Sequence, residues 1–149
     1  MAFRGEHYHT VDDKGRVIIP LKFRNELGTT FVMTKGIGGC LFIYREKDFL
    51  EIEARLQARQ VFDEHALRLK RWLFASATDT QVDTQGRVAI PANLRAFSGI
   101  DEGGDVVIAG TVEKIEVWSR AKWDTVNEAL DDAAVMDAAR RIGLGEDLS

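Results

Sequence analysis

The sequence predicts an α+β protein made of two tandem units, each with two strands, a short helix and two more strands. The first observation is a repeated segment, VDDKGRVIIP at residues 11–20 and VDTQGRVAIP at residues 82–91. Seven of these ten positions are identical, and the chain's two prolines, Pro20 and Pro91, end the two copies. A repeat of this kind indicates a duplicated structural unit.

The likeness between the copies continues past the prolines. Residues 31–36 correspond to residues 105–110, at a spacing of 74 instead of 71. A longer loop at residues 98–104 of the second copy accounts for the shift of three. The order of corresponding residues is kept over roughly forty positions, which indicates duplication of the whole unit.

The elements of each copy follow from local patterns. Acidic residues and a glycine after the first strand predict a tight turn, because glycine adopts positive φ and aspartate accepts bonds from nearby amides. β-Branched residues predict the second strand, and proline suits the start of the helix that follows. The predicted second strand, helix, third strand and fourth strand span residues 16–19, 21–27, 30–35 and 40–44, then 87–90, 92–97, 105–109 and 114–118.

Helical segments flank the two units. Apolar residues at helical spacing predict helices at residues 46–59, 64–77 and 121–142, with their aromatic residues in the core. Four short strands make a poor core alone, so the two halves are expected to bury each other's apolar faces as an intramolecular pseudo-dimer. The predicted boundaries are residues 1–77 and 78–149.

Composition indicates a cytoplasmic protein. The chain lacks a run of roughly 18 apolar residues, its first residues do not resemble a secretory signal, and its one cysteine, Cys40, cannot form an internal disulfide. The formal net charge is −4. Residues 121–149 hold three basic and seven acidic residues, so this tail carries the imbalance and the remainder is neutral.

The repeated turn holds the candidate functional residues. Asp12 and Arg16, and likewise Asp83 and Arg87, lie four apart across the turn, a spacing that can bring carboxylate and guanidinium together. One interpretation is that each pair only braces its hairpin. The other is that aspartate holds arginine while its remaining donors face outward, toward phosphates or a guanine edge.

The two turns differ in charge. Lys14 adds a second cation in the first copy, whereas its counterpart Gln85 is uncharged. The first copy is therefore expected to bind phosphate more strongly than the second.

The paired motifs, one in each half of a chain of this length, resemble those of the MraZ family, as does the opening Phe3-Arg4-Gly5. The resemblance implies a duplicated AbrB-type swapped-hairpin fold, forming an intramolecular pseudo-dimeric β-barrel. It also implies a nucleoid-associated regulator in ring-like homo-oligomers, which binds repeated boxes in double-stranded DNA upstream of the bacterial division and cell wall gene cluster, its own gene included.

Carried over position by position, the resemblance gives two sets of residues. The DNA-binding candidates are Arg16, Arg87 and Lys14. The residues that orient them are Asp12, Asp83, Gly15 and Gly86. Gln85 stands where the first motif has the basic Lys14, and this difference leaves the contribution of the second motif open. The sequence indicates no cofactor and shows no site for a small-molecule effector.

Two other classes of function fit the sequence less well. An enzyme is disfavoured, because no catalytic motif is present. His7 and His9, with Glu6 or Cys40, are too few good ligands for a closed zinc site, so no metal is expected. The alternative to the DNA-binding function is an antitoxin-like protein-interaction module of the same fold, in which the short C-terminal tail would hold a partner.

Overall fold

The strand-turn-strand pattern of each repeat is confirmed, and the strands pair between the repeats. The computed structural model describes residues 2–149. Its strands are β1 Phe3–Thr10, β2 Arg16–Ile18, β3 Phe31–Lys35, β4 Leu41–Arg45, β5 Thr78–Thr80, β6 Arg87–Ala89, β7 Asp105–Val112 and β8 Ile115–Ser119. All lie in the first of two compact units, which ends at Ser119.

The two repeats exchange their first strands. Antiparallel pairing gives one six-stranded sheet in the order β1-β7-β8-β4-β3-β5, and a separate ribbon of β2 and β6. Thus β1 of the first repeat pairs with β7 of the second, while β5 of the second pairs with β3 of the first. The predicted α+β class is confirmed. The expected closed β-barrel is not seen, because β1 and β5 are the edges of the sheet within residues 2–149.

One face of the sheet packs against the ribbon. Alternate residues of the sheet strands point into a single core, as the two-residue period of a strand requires. Val17 and Val88, from the centre of the ribbon, are fully buried in the same core. The core residues from the sheet are Phe3, Phe31, Met33, Leu41, Ile43, Val106, Ile108, Ile115 and Val117. Both repeats therefore contribute to one apolar interior.

The helices lie where they are predicted, except that the segments at residues 64–77 and 121–142 differ and a short helix at residues 145–148 lies outside the predicted ones. Their bounds are α1 Leu21–Leu27, α2 Glu46–Gln57, α3 Glu64–Leu69, α4 Ala92–Ser98, α5 Arg120–Glu128, α6 Asp132–Arg141 and α7 Gly145–Leu148. The expectation that the aromatic residues of the flanking helices lie in the core is wrong for Trp72, which is 39% exposed, and the helix at residues 120–128 has no buried residue. α1 and α4 follow Pro20 and Pro91, as predicted, and bury Phe23 and Leu94 in the shared core. Among residues 2–149 no helix combines the length and hydropathy that crossing a bilayer requires.

The predicted helix at residues 64–77 changes geometry midway. After α3 the chain continues as a π-helical segment, Lys70–Phe74, in which the N–H of Ala75 donates to Lys70 O at 3.1 Å. Trp72 lies in this widened turn, and its side chain is fixed by a hydrogen bond from Nε1 to Gly36 O at 3.0 Å. Periodicity of apolar residues does not register a single inserted residue of this kind.

The predicted single helix at residues 121–142 is two helices. Asp131 ends the run, because its side chain accepts a bond from the N–H of Ala134 at 2.8 Å and caps α6. Aspartate favours this position over a helix interior. α5, α6 and α7 make up the second compact unit, Arg120–Ser149.

The exchange of β1 between repeats gives a stability prediction. Phe3 is 1% exposed, and its ring packs edge-on to Phe23 with centroids 5.7 Å apart. Phe3→Ala removes this buried ring and should lower the free energy of unfolding by about 3–5 kcal/mol. Chemical denaturation measures the loss.

Tyr8→Ala is the matched control on the same strand, because Tyr8 is 52% exposed. Its effect should stay within about 0.5 kcal/mol. Equal losses for the two variants would show that β1 is not anchored through Phe3.

Candidate nucleic-acid interface

Each hairpin turn is organised around one aspartate. In the first copy Asp12 Oδ1 accepts the backbone N–H of Lys14 at 3.0 Å and that of Arg16 at 2.8 Å. The N–H of Gly15 donates to Asp12 O at 3.1 Å. The side chain thus satisfies amides that the tight turn leaves without a strand partner.

The second copy has the same geometry. Asp83 Oδ1 accepts the backbone N–H of Gln85 at 2.8 Å and that of Arg87 at 2.9 Å. The N–H of Gly86 donates to Asp83 O at 3.0 Å. Because the bonding is equivalent in the two copies, the sequence difference between Lys14 and Gln85 does not alter the turn.

Each aspartate also holds its arginine, by one nitrogen only. Arg16 Nε donates to Asp12 Oδ2 at 2.8 Å, and Arg87 Nε donates to Asp83 Oδ2 at 2.8 Å. Arg16 and Arg87 form no other ion pair among residues 2–149. The contact is not the two-pronged pair that a guanidinium can make. Both terminal nitrogens of each arginine therefore remain available to a ligand.

Hydrogen bonding lowers the pKa of both aspartates, so that they stay ionised at lower pH than usual. The backbone N–H of Arg16 is the main cause that lowers the pKa of Asp12, with the arginine side chain and the Lys14 N–H adding to it. The backbone N–H of Arg87 lowers the pKa of Asp83 in the same way. A carboxylate that is charged at neutral pH is needed to orient a guanidinium.

The ribbon presents both arginines on one face. β2 and β6 pair with Arg16 opposite Ala89, Val17 opposite Val88 and Ile18 opposite Arg87. Val17 and Val88 are buried, so alternation directs the outer residues of both strands away from the core. The two arginines are diagonal neighbours on this outer face, with Cα atoms about 7–8 Å apart.

Glycine is required at both turns for two reasons. Gly15 and Gly86 have φ values of 75° and 78°, which residues other than glycine rarely adopt. A Cβ on Gly15 would lie 2.8 Å from Cζ of Arg95, and one on Gly86 would lie 2.6 Å from Cζ of Arg24. Each turn is therefore in close contact with an arginine from the other repeat.

The structure brings together all seven residues singled out in the sequence, at the ribbon and its two ends. Arg24 and Arg95 were not among them. The repeat places these two arginines at corresponding positions of α1 and α4, which was the available signal. Their contact with the opposite turn depends on pairing between repeats, which local sequence patterns do not reveal.

The histidines of β1 have structural surroundings. The His7 ring packs edge-on to Phe23 with centroids 5.1 Å apart. Burial, with the neighbouring His7, lowers the pKa of His9. Among residues 2–149 no three His, Cys, Asp or Glu side chains are grouped so that they could hold a metal ion.

The lowered pKa values give a prediction for acid stability. A carboxyl group whose folded-state pKa is lowered stabilises the fold above its unfolded pKa, and this stabilisation is lost as the pH falls. The free energy of unfolding should therefore decrease below about pH 4. The double variant Asp12→Asn/Asp83→Asn should be less stable than the unchanged protein at neutral pH, with a smaller further loss in acid. Denaturation series at several pH values measure both effects.

Asp13→Asn is the control, because the Asp13 side chain makes no hydrogen bond or ion pair among the described residues. It should leave the acid dependence unchanged. The same acid dependence in the double variant as in the unchanged protein would contradict the role given to the turn carboxylates.

Comparison with known proteins identifies the family. The model of the MraZ protein family, described as antitoxin-like, matches twice, at residues 2–72 and 73–144. Relatives named "Transcriptional regulator MraZ" include one from Moorella thermoacetica, 43% identical over 82% of this chain and 84% of that protein. Another, from Desulfitobacterium hafniense, is 38% identical over 96% of this chain and 99% of that protein. PHS018 from Pyrococcus horikoshii, a solved structure, is 21% identical over 78% of this chain and 89% of its own, with a TM-score of only 0.33. On the two family matches and these relatives, the chain belongs to the MraZ family.

Proposed function

We propose that this protein is a transcription regulator that binds double-stranded DNA with the outer face of the β2–β6 ribbon. One observation carries the proposal. Arg16 and Arg87 share that face, and each is held at Nε by an aspartate while its terminal nitrogens are unengaged. The names of the relatives from Moorella thermoacetica and Desulfitobacterium hafniense support a role in transcription.

The shape and chemistry of the ribbon suit the major groove of DNA. That groove is wide enough for a two-stranded β-ribbon, and arginine reads guanine there through O6 and N7 with two parallel bonds. Those bonds need two donors of one guanidinium. An arginine that is oriented through Nε alone keeps its two terminal nitrogens as such a pair of donors. Lys14, exposed at one end of the ribbon, is suited to a phosphate contact.

The finer proposals follow the family resemblance. The exchange of first strands between repeats supports a swapped-hairpin arrangement, with repeats at residues 1–77 and 78–149. We propose that the DNA targets are repeated boxes upstream of the division and cell wall gene cluster, including the protein's own gene. We also propose ring-like homo-oligomers, because linked copies that engage several boxes gain affinity without new contacts.

Oligomerisation can offset the net negative charge, which opposes binding to DNA. The formal net charge of −4 does not favour association with DNA. The excess of acidic residues lies at residues 121–149, in the second compact unit, and residues 1–120 are neutral. Cations concentrated on the ribbon can then act as a local binding surface, repeated in each copy of the chain.

Substitution of Arg16 tests the function. Arg16→Ala removes one groove contact and should weaken binding to duplex DNA from upstream of the protein's own gene by about 1–3 kcal/mol, or roughly 5- to 150-fold. Arg16→Lys keeps the charge without the planar fork, and should lose discrimination between this DNA and an unrelated duplex. Fluorescence anisotropy titrations at fixed salt measure both.

Lys47→Ala is the control for charge alone, since Lys47 is exposed on α2, which packs against β3 and β4. It should bind DNA like the unchanged protein. Unchanged affinity and discrimination in a folded Arg16→Ala protein would refute the proposed interface.

A further inference from the structure

Each end of the ribbon combines parts of both repeats. The turn of the second repeat, at Gly86, lies against the guanidinium of Arg24 from α1 of the first repeat. The turn of the first repeat, at Gly15, lies against Arg95 from α4 of the second. Backbone bonds fix this arrangement, because Ile19 N–H donates to Gly86 O at 3.0 Å and Ile90 N–H donates to Gly15 O at 2.9 Å.

The two arginines differ in their bonding. Arg95 Nε donates to Ile90 O at 3.0 Å, and its Nη1 pairs with Glu102 Oε1 at 3.1 Å. Arg24 Nε is buried without a hydrogen-bond partner, and its guanidinium forms no ion pair among the described residues. Arg95 is therefore neutralised within the protein, whereas Arg24 is not.

The longer loop of the second repeat explains the difference. Glu102 lies in the segment after α4 that is three residues longer than its counterpart after α1. The shorter segment, Gly28-Thr29-Thr30, contains no acidic residue that could pair with Arg24. The cation beside the second turn is thus left without a counter-charge by the same length difference that supplies one beside the first.

We propose that Arg24 contacts a DNA phosphate at the second turn and supplies the charge that Gln85 does not carry there. This inference rests on the proposed DNA-binding function. Glu102 prevents Arg95 from making the equivalent contact at the first turn, where Lys14 carries the charge. Each end of the ribbon then has two available cations, Lys14 with Arg16 and Arg24 with Arg87.

The physical argument is the missing counter-charge. Arg24 forms no ion pair among residues 2–149, whereas Arg95 is paired with Glu102. A phosphate placed beside the second turn provides charge-assisted acceptors for the guanidinium of Arg24. On this proposal the second copy contacts phosphate as the first does, because Arg24 of the first repeat adds a cation at the second turn.

The salt dependence of DNA binding tests the inference. Each phosphate contact contributes about 0.9 to the slope of log affinity against log salt concentration. Arg24→Gln should weaken binding and reduce that slope by about one. Arg24→Lys keeps a cation at the same position and should retain the slope. Glu102→Gln, which releases Arg95, should raise the slope by about one.

The controls separate a contact from a general charge effect. The double variant Arg95→Gln/Glu102→Gln removes a neutralised pair and should leave the slope unchanged. Lys47→Gln removes one exposed charge from α2 and should also leave it unchanged. Thermal unfolding of each variant verifies folding, and because Arg24→Lys and Arg24→Gln differ by one charge at one place, comparing them isolates the cation.

The outcomes are distinct. If Arg16→Ala weakens binding while Arg24→Gln keeps the slope of the unchanged protein, or only matches Lys47→Gln, the inference is wrong and the proposed function stands. An unchanged slope in Glu102→Gln overturns the role given to Glu102. If Arg16→Ala has no effect on binding, the proposed interface and this inference fall together.

Discussion

The pairing of β2 with β6 is the interaction on which the first unit depends. It brings Val17 against Val88 and lets two halves, each with too few strands for a core, enclose one apolar interior. The pairing also fixes the register that places Arg16 and Arg87 on the same outer face. A shift of one residue in a strand would turn its arginine inward. Burial of the valines and presentation of the arginines are therefore one constraint.

The elements could be predicted from local patterns, and the pairing between them could not. Turn glycines, β-branched runs and prolines gave the hairpins and α1 and α4 close to their observed bounds, because these signals act over a few residues. The partner of β1 is about a hundred residues away, and nothing local specifies it. Apolar periodicity predicts one helix across the break before α6, because periodicity does not register that the Asp131 side chain caps the next helix.

The candidate site shows the same division. Spacing across the turn predicted that Asp12 and Arg16 meet, and they do. The contact uses Nε alone because of how the turn positions the carboxylate. One carboxylate oxygen accepts from Arg16 Nε, and the other accepts from two backbone amides. The packing of Arg24 against Gly86 lay beyond sequence reasoning, because it joins the two repeats in space.

Fusion of the repeats in one chain has a consequence for the DNA sites that suit the proposed interface. Two identical hairpins from separate subunits present a two-fold symmetric face, which suits a palindrome. Here one end has Lys14 and the pair of Arg95 with Glu102, and the other has Gln85 and Arg24. A face with two unlike ends has polarity. If the ribbon binds DNA as proposed, its matching site is asymmetric, is bound in one orientation, and can be repeated head to tail along a promoter.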